Sequence, residues 1–293
     1  MGNPICDLFG IRYPVLMGAV SGTPKMGVAI SNAGGLGCMQ GVQGPDKLRA
    51  AIREYKSLTD KPFAINFPIV LTPPEHIEEK MQMMVDEKVP VVITSAGNPK
   101  LYTKFLKEHG VRVAHVLPTV YHARKAVEAG VDAVIAEPAE SGGYRGEHEV
   151  SMMVLIPAIR KAFPNIPIVA AGAVAERHGM AAVFALGADG VQLGTRFIAS
   201  SESSMDEDYR KMILAAEDTS TMSAEGRIKP RVGKPEFAEA VLGKRRQVQM
   251  GQVAALIDSI DPVEQIMKEL VEGGLQQARE TLARFEAFAA VRV

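Results

Sequence analysis

The sequence predicts an α/β protein, a (β/α)8 TIM barrel followed by a small C-terminal lid. Eight short β-branched runs alternate with longer helical patterns through the first two-thirds of the chain. At a spacing of roughly 25 residues, that alternation calls for a parallel sheet with helical crossovers. Eight such units in about 200 residues fit a closed barrel better than a doubly wound sheet. No G-x-G-x-x-G follows the first strand-like run, which weighs against a dinucleotide-binding sheet. Several runs also end in glycine-bearing turns, and in a barrel all strand-to-helix turns meet at one face.

Taken in order, the strand Pro14–Met17 ends in Gly18-Ala19-Val20-Ser21-Gly22, and the helix Pro24–Asn32 follows with proline suited to its first turn. Gly34-Gly35 separates it from the strand Leu36–Gln40 and the helix Asp46–Leu58. The strand Phe63–Phe67 carries Asn66, and the helix Glu75–Glu87 comes next, its Met81, Met83 and Met84 read as packing residues. Val91–Thr94 ends in Ser95-Ala96-Gly97, before a helix to His109. Val111–Leu117 then leads to the helix Val120–Ala129. Val131–Ala136 feeds the stretch E-P-A-E-S-G-G-Y-R-G-E at 137–147 and the helix Met152–Phe163. Ile166–Ala171 precedes Gly172 and the helix Glu176–Leu186, and Gly190–Leu193 ends in Gly194-Thr195-Arg196-Phe197. Beyond this point Glu202–Glu217 reads as an amphipathic helix and 218–235 has little periodicity. A final helix runs from Asp261-Pro262 to about Phe288, broken at Gly273-Gly274. The expected division is a barrel over 1–200, a lid over 201–260 and a C-terminal helix over 261–293 packing back on the barrel.

Bulk composition excludes several function classes. A net charge of −1 over 293 residues leaves no electrostatic case for nucleic acid or an acidic membrane. Two cysteines are too few for a disulfide framework or a metal site, and the scattered histidines form no metal spacing. Without a signal-peptide pattern or a long apolar run, a cytoplasmic protein is expected.

The chemistry concentrates in the turns. Ala170-Ala171-Gly172-Ala173 and Leu193-Gly194-Thr195 follow the last two strands, where barrels often bind phosphate through backbone N–H groups. Their plainer reading is tight turns that use glycine only for geometry. Asn66 has an amide suited to a heterocycle edge, or to its own backbone. In the 137–147 stretch, Gly142, Gly143 and Gly146 permit close backbone approach beside Glu137, Glu140, Glu147, Arg145 and Tyr144. The Tyr144 phenol is a hydrogen-bond and proton donor but a weak base, and its alternative is simple packing. His115 and His148 fall near the expected mouth.

With these motifs assembled, the chain resembles the nitronate monooxygenase (2-nitropropane dioxygenase) family, relatives of the flavin-dependent enoyl-acyl-carrier-protein reductases. P-V-L-M-G at 14–18, G-G-L-G at 34–37, N-F at 66–67 and T-S-A-G-N-P at 94–99 carry the resemblance. So do G-V-D-A-V-I-A-E at 130–137, E-S-G-G-Y-R-G at 140–146, I-V-A-A-G at 168–172 and G-A-D-G-V-Q-L-G-T-R-F at 187–197. D-T at 218–219 and G-R at 226–227 resemble the family's lid. The resemblance implies a non-covalent FMN with its phosphate at Gly172-Ala173 and Gly194-Thr195. Gly18, Ala19 and Val20 would lie along the isoalloxazine edge, Asn66 on the ring or ribityl chain, and Glu137, Ser141, Gly142 and Gly143 along the cofactor.

The family pattern E-A-G-G-H-x-G has a catalytic histidine where this chain has Tyr144. Without an imidazole, deprotonation of a neutral nitroalkane should be poor. A nitronate is already an anion and needs no base, so oxidation of alkyl nitronates with O2 is the first expectation. The alternatives are an NAD(P)H-dependent reductase of an enoyl thioester or quinone, with Tyr144 or a water as proton donor, and a non-catalytic flavin-binding protein. Small-molecule substrates, and a homodimer through the C-terminal helix, complete the expectations.

Overall fold

Eight parallel strands hydrogen-bond in one ring. They are β1 Val15–Met17, β2 Gly37–Gln40, β3 Phe63–Pro68, β4 Val91–Ser95, β5 Arg112–Leu117, β6 Ala133–Ala136, β8 Ile168–Ala171 and β9 Gly190–Leu193, while the short β7, Gly143–Arg145, lies outside the ring. The order β1-β9-β8-β6-β5-β4-β3-β2 is closed by a parallel bridge between Leu16 and Leu36. Met17 N–H donates to Leu36 O and Leu36 N–H to Val15 O, each at 2.9 Å, so no strand edge is left open. This computed structural model describes residues 2–21, 23–225 and 229–290; Gly22 and the Gly226-Arg227 pair lie outside the described residues.

Burial explains the sequence of the strands. β6 (A-V-I-A), β8 (I-V-A-A) and β9 (G-V-Q-L) are buried along their whole length, as strands covered on both faces must be. The outer ring is α1 Pro4–Phe9, α2 Pro24–Asn32, α3 Pro45–Leu58, α4 Pro74–Asp86, α5 Thr103–Glu108, α6 Val120–Glu128, α7 Met152–Ala162 and α8 Arg177–Ala185. Proline opens α2, α3 and α4, where its missing N–H costs no helical bond. Met81, Met83 and Met84 are buried in the barrel core. All eight expected barrel strands are present, with ends shifted by a residue or two. The sequence reading missed α1, whose cap is Asn3 accepting from Ile5 and Cys6 N–H.

After β9 comes the short α9, Thr195–Ile198, and then the lid. The lid contains α10 Glu207–Leu214, β10 Thr221–Ser223, β11 Lys229–Gly233 and α11 Pro235–Leu242. Its own apolar cluster includes Met212, Ile213, Ala238, Val248, Met250 and Ala254. The expected helix 202–217 is shorter because Asp206 caps it, accepting from Tyr209 N–H at 3.0 Å. The segment with little periodicity supplies two strands, and the glycine-rich stretch supplies a third. β7 pairs antiparallel with β11, setting Tyr144 opposite Pro230, and β11 pairs with β10. This part of the stretch is therefore a strand that fastens the lid, where the sequence suggested a loop.

At the C-terminal end, α12 Val263–Lys268 passes through a π-turn, Glu269–Gly273, into α13, Gly274–Ala290. The expected break at Gly273-Gly274 does not occur. A Cβ on Gly273 would meet the Arg177 side chain at 3.2 Å, and one on Gly274 would meet Met180 at 2.9 Å. The pair lets α13 approach α8 closely. Among the described residues no helix is long and apolar enough to cross a membrane.

Candidate active site

The strand-to-helix turns and the lid enclose a cavity of about 1390 Å3 at the C-terminal face of the barrel. Gly18, Ala19 and Val20 line it from the β1 turn and Asn66 from β3. Glu137, Ser141, Gly142, Gly143 and Tyr144 line it from the stretch after β6, and Gly172, Gly194 and Thr195 from the last two turns. Ala173 does not line the cavity; its neighbours Gly172 and Val174 do. Ala173 has φ +57°, a left-handed conformation that strains a residue bearing a Cβ.

Each glycine has an identifiable reason. Gly172 has φ +78°, and a Cβ there would lie 2.5 Å from the Ser141 Cβ. A Cβ on Gly142 would lie 2.5 Å from Gly251 N and 2.7 Å from Met250 C, so two backbones cross in contact at this point. Gly146 faces Pro118, where a Cβ would meet Cγ at 2.6 Å. Gly142 thus brings lid and loop together and Gly146 seats the loop on the end of β5, duties separate from ligand binding. Thr195 shares the first: its Oγ1 accepts from Gly251 N–H at 3.1 Å, which leaves its proton free to donate.

Arg145 also differs from the sequence reading. It is buried and donates to Ala139 O at 2.6 Å and to Ser223 Oγ at 2.5 Å. Arg231 donates to the same Ala139 carbonyl at 2.9 Å and to Thr221 Oγ1 at 3.1 Å. The two guanidiniums lock the lid strands to the loop. Asn66 donates from Nδ2 to Ile93 O at 3.3 Å, so its amide is partly used by the barrel itself.

Gln40, Gln192, His122 and the lid residues of the lining escaped the sequence reading, whereas His115 and His148 were expected near the mouth. Gln40 donates to Ala19 O at 2.6 Å and Gln192 to Met17 O at 3.3 Å, bracing the first turn from two neighbouring strands. Gln40 had no flanking motif to mark it, and Gln192 stood within the 187–197 motif without being singled out. His115 is buried in the wall, its Nδ1 2.8 Å from Thr94 Oγ1, and burial pushes its pKa down to about 4, so it is a neutral imidazole. His122, one of the scattered histidines, stands in the first turn of α6 with its ring 6.5 Å from that of His148, and both line the cavity. The lid adds Tyr209, Arg246 and Gln249.

Glu137 is the titratable group with the most altered environment at the floor. It is half-buried at the end of β6, and desolvation pushes its carboxyl up to about 7. The nearby Ser141 hydroxyl and the Arg145 charge offset this only in part. Ser141 Oγ itself is buried and meets no partner at hydrogen-bonding geometry. Tyr144 stands at the rim, 52 % exposed. Among the described residues no group of His, Cys, Asp and Glu is arranged to hold a metal ion.

A closed (β/α)8 barrel with glycine turns, a lid and a polar cavity at its C-terminal face defines a barrel enzyme. Residues 3–75 and 70–232 match the nitronate monooxygenase family, and the chain belongs to it. It is similar to the nitronate monooxygenase of Paraburkholderia phytofirmans, 31 % identical over 273 residues covering 76 % of this chain and 74 % of that protein. An octahydro-indene-carboxyl-CoA dehydrogenase of Mycobacterium tuberculosis is 34 % identical over 220 residues, 73 % of this chain, which spans 60 % of that protein's length. The solved structure of FabK from Thermotoga maritima is 38 % identical, with a TM-score of 0.87, covering 98 % of this chain and 99 % of that one. These relatives accord with an enzyme of the oxidoreductase type.

Proposed function

We propose that the cavity holds FMN and that the chain reduces an enoyl thioester with electrons from NAD(P)H. The observation that carries this reading is the cavity itself, which is lined by Tyr144 and by every cofactor residue chosen from the sequence except Ala173. Its volume of about 1390 Å3 exceeds the roughly 300–1,000 Å3 of a pocket for one small molecule, as a cofactor with a second ligand beside it requires. The residues present fit FMN. Ser141 Oγ is a buried hydroxyl without a partner, and Gly172 and Gly194 keep the last two turns open to backbone approach. When bound, FMN would accept and return an electron pair.

The chain's own residues would divide the remaining work. The Gly172 and Gly194-Thr195 turns would hold the phosphate through backbone N–H groups and the Thr195 hydroxyl. Asn66 and Ser141 would orient the cofactor, and the lid would exclude water. Tyr144 Oη would donate the proton to substrate carbon and, being exposed, recover it from solvent. Chain-length likeness to FabK and the motif resemblance to flavin-dependent enoyl reductases support this order of readings.

Oxidation of an alkyl nitronate with O2 is the second reading, supported by the family match. Tyr144 is no obstacle to it, because a nitronate needs no base. Anaerobic mixing separates the two. Bleaching of the flavin by NAD(P)H and recovery on adding a crotonyl thioester supports the first, and bleaching by propionate-3-nitronate supports the second. Tyr144→Phe should lower enoyl turnover by roughly 10²-fold while NAD(P)H bleaching persists. Unchanged turnover removes Tyr144 as the donor, and a protein that binds no FMN in titration removes both readings.

A further inference from the structure

Along α13 runs an apolar stripe that is largely exposed. Leu275, Leu282 and Phe285 are 56 %, 58 % and 68 % exposed. With Ala278 and Ala289, also exposed, they occupy alternating spacings of three and four residues along one line of the helix. That is the a/d pattern of a coiled coil. The stripe lies about a quarter turn from the face that Gly274 and Gln277 bury against α8. Helical stretches shorter than about 12 residues are marginal alone in water, so this projecting segment lacks the packing that normally stabilises one.

Charge identifies the occupant. Arg279 and Glu286 border the stripe on one side, seven residues apart, and neither has an ion-pair partner among the described residues. In an antiparallel pair of identical helices these flanking positions face each other across the seam. One register stacks Leu282 on Phe285 of the second copy and Ala278 on Ala289. It sets Arg279 opposite Glu286 twice, about a two-fold axis between Ala283 and Arg284. The register that would instead pair Leu275 with Phe285 sets Arg279 against its own copy, and like charges reject it.

We propose that α13 docks antiparallel on α13 of a second copy of this chain, in the register that pairs Arg279 with Glu286. The isologous contact closes on itself as a dimer. Sedimentation of the full chain through the micromolar range tests it. The expected result is a species of twice 31.5 kDa. Leu282→Glu should return it to the monomer mass with an unchanged circular-dichroism spectrum. Glu286→Arg should raise the dissociation constant at least tenfold, and adding Arg279→Glu on the same chain should restore it. A wild-type chain that stays at monomer mass, or a dimer that survives Leu282→Glu, overturns the proposal. So does a double charge swap as weak as the single one.

Discussion

On the barrel side of the cavity, backbone hydrogen bonds close the wall into a ring, and side chains such as Val134 and Ile135 are fully buried behind it. On the lid side, the short β7–β11 ladder is joined by side-chain contacts. Arg145 and Arg231 bond the Ala139 carbonyl, Thr195 bonds Gly251 N–H, and Arg246 reaches Asp206 at 2.6 and 2.5 Å. A hydrogen-bonded ring has no low-energy way to open locally, whereas polar side-chain contacts exchange readily with water. The wall is therefore the more rigid side of the cavity and the lid the side that opens more readily.

That contrast breaks first at the wall. Ile135→Ala should lower unfolding free energy by about 2–5 kcal/mol in denaturant melts, because a closed ring cannot collapse onto the void. A loss below 1 kcal/mol would mean the wall relaxes like a lid. At the junction, Gly142→Ala should cost about 1–3 kcal/mol and speed proteolytic cleavage within the lid, since the new Cβ meets backbone at 2.5 Å. Unchanged cleavage would show the crossing backbones to be free to separate.

The cavity floor tests the comparison through pH. Glu137 has its folded pKa raised to about 7 from an ordinary 4.5, so between those values the folded protein keeps a proton that the unfolded chain has lost. The stability this group contributes is full below the unfolded value and falls as pH rises through about 7. Glu137→Gln cannot ionise. In the cofactor-free protein it should match wild type near about pH 5 and exceed it by about 2 kcal/mol near about pH 8. Parallel pH profiles for the two proteins would show that the floor is well hydrated. The smallest effect belongs to the lid's surface pair. Arg246→Gln should cost about 0–1 kcal/mol and less in high salt, and a larger, salt-independent loss would mark this contact as part of the rigid wall.

Period and composition were enough to locate the eight strands, because a strand buried on both faces is apolar along most of its length. The turn glycines were legible for a similar reason, since only a residue without Cβ fits where backbones cross. Their partners were not legible. Gly142 meets Gly251 more than a hundred residues later, and Gly273-Gly274 reads as a break until α8 is placed beside it. His122 carried no motif to single it out, and only the fold decides that the start of its helix faces the cavity. Ala173 follows a motif position yet lies outside the cavity lining.

By itself the sequence determined the barrel, the face where its turns meet and the place of Tyr144 within the glycine-rich stretch, since these depend on residues near one another in the chain. The tertiary structure alone decided that the glycine-rich stretch is half loop and half lid strand. It also decided that Arg145 is a structural clamp and that Glu137 lies where burial raises its pKa. Each of these depends on contacts between segments distant in sequence, and on the water those contacts exclude.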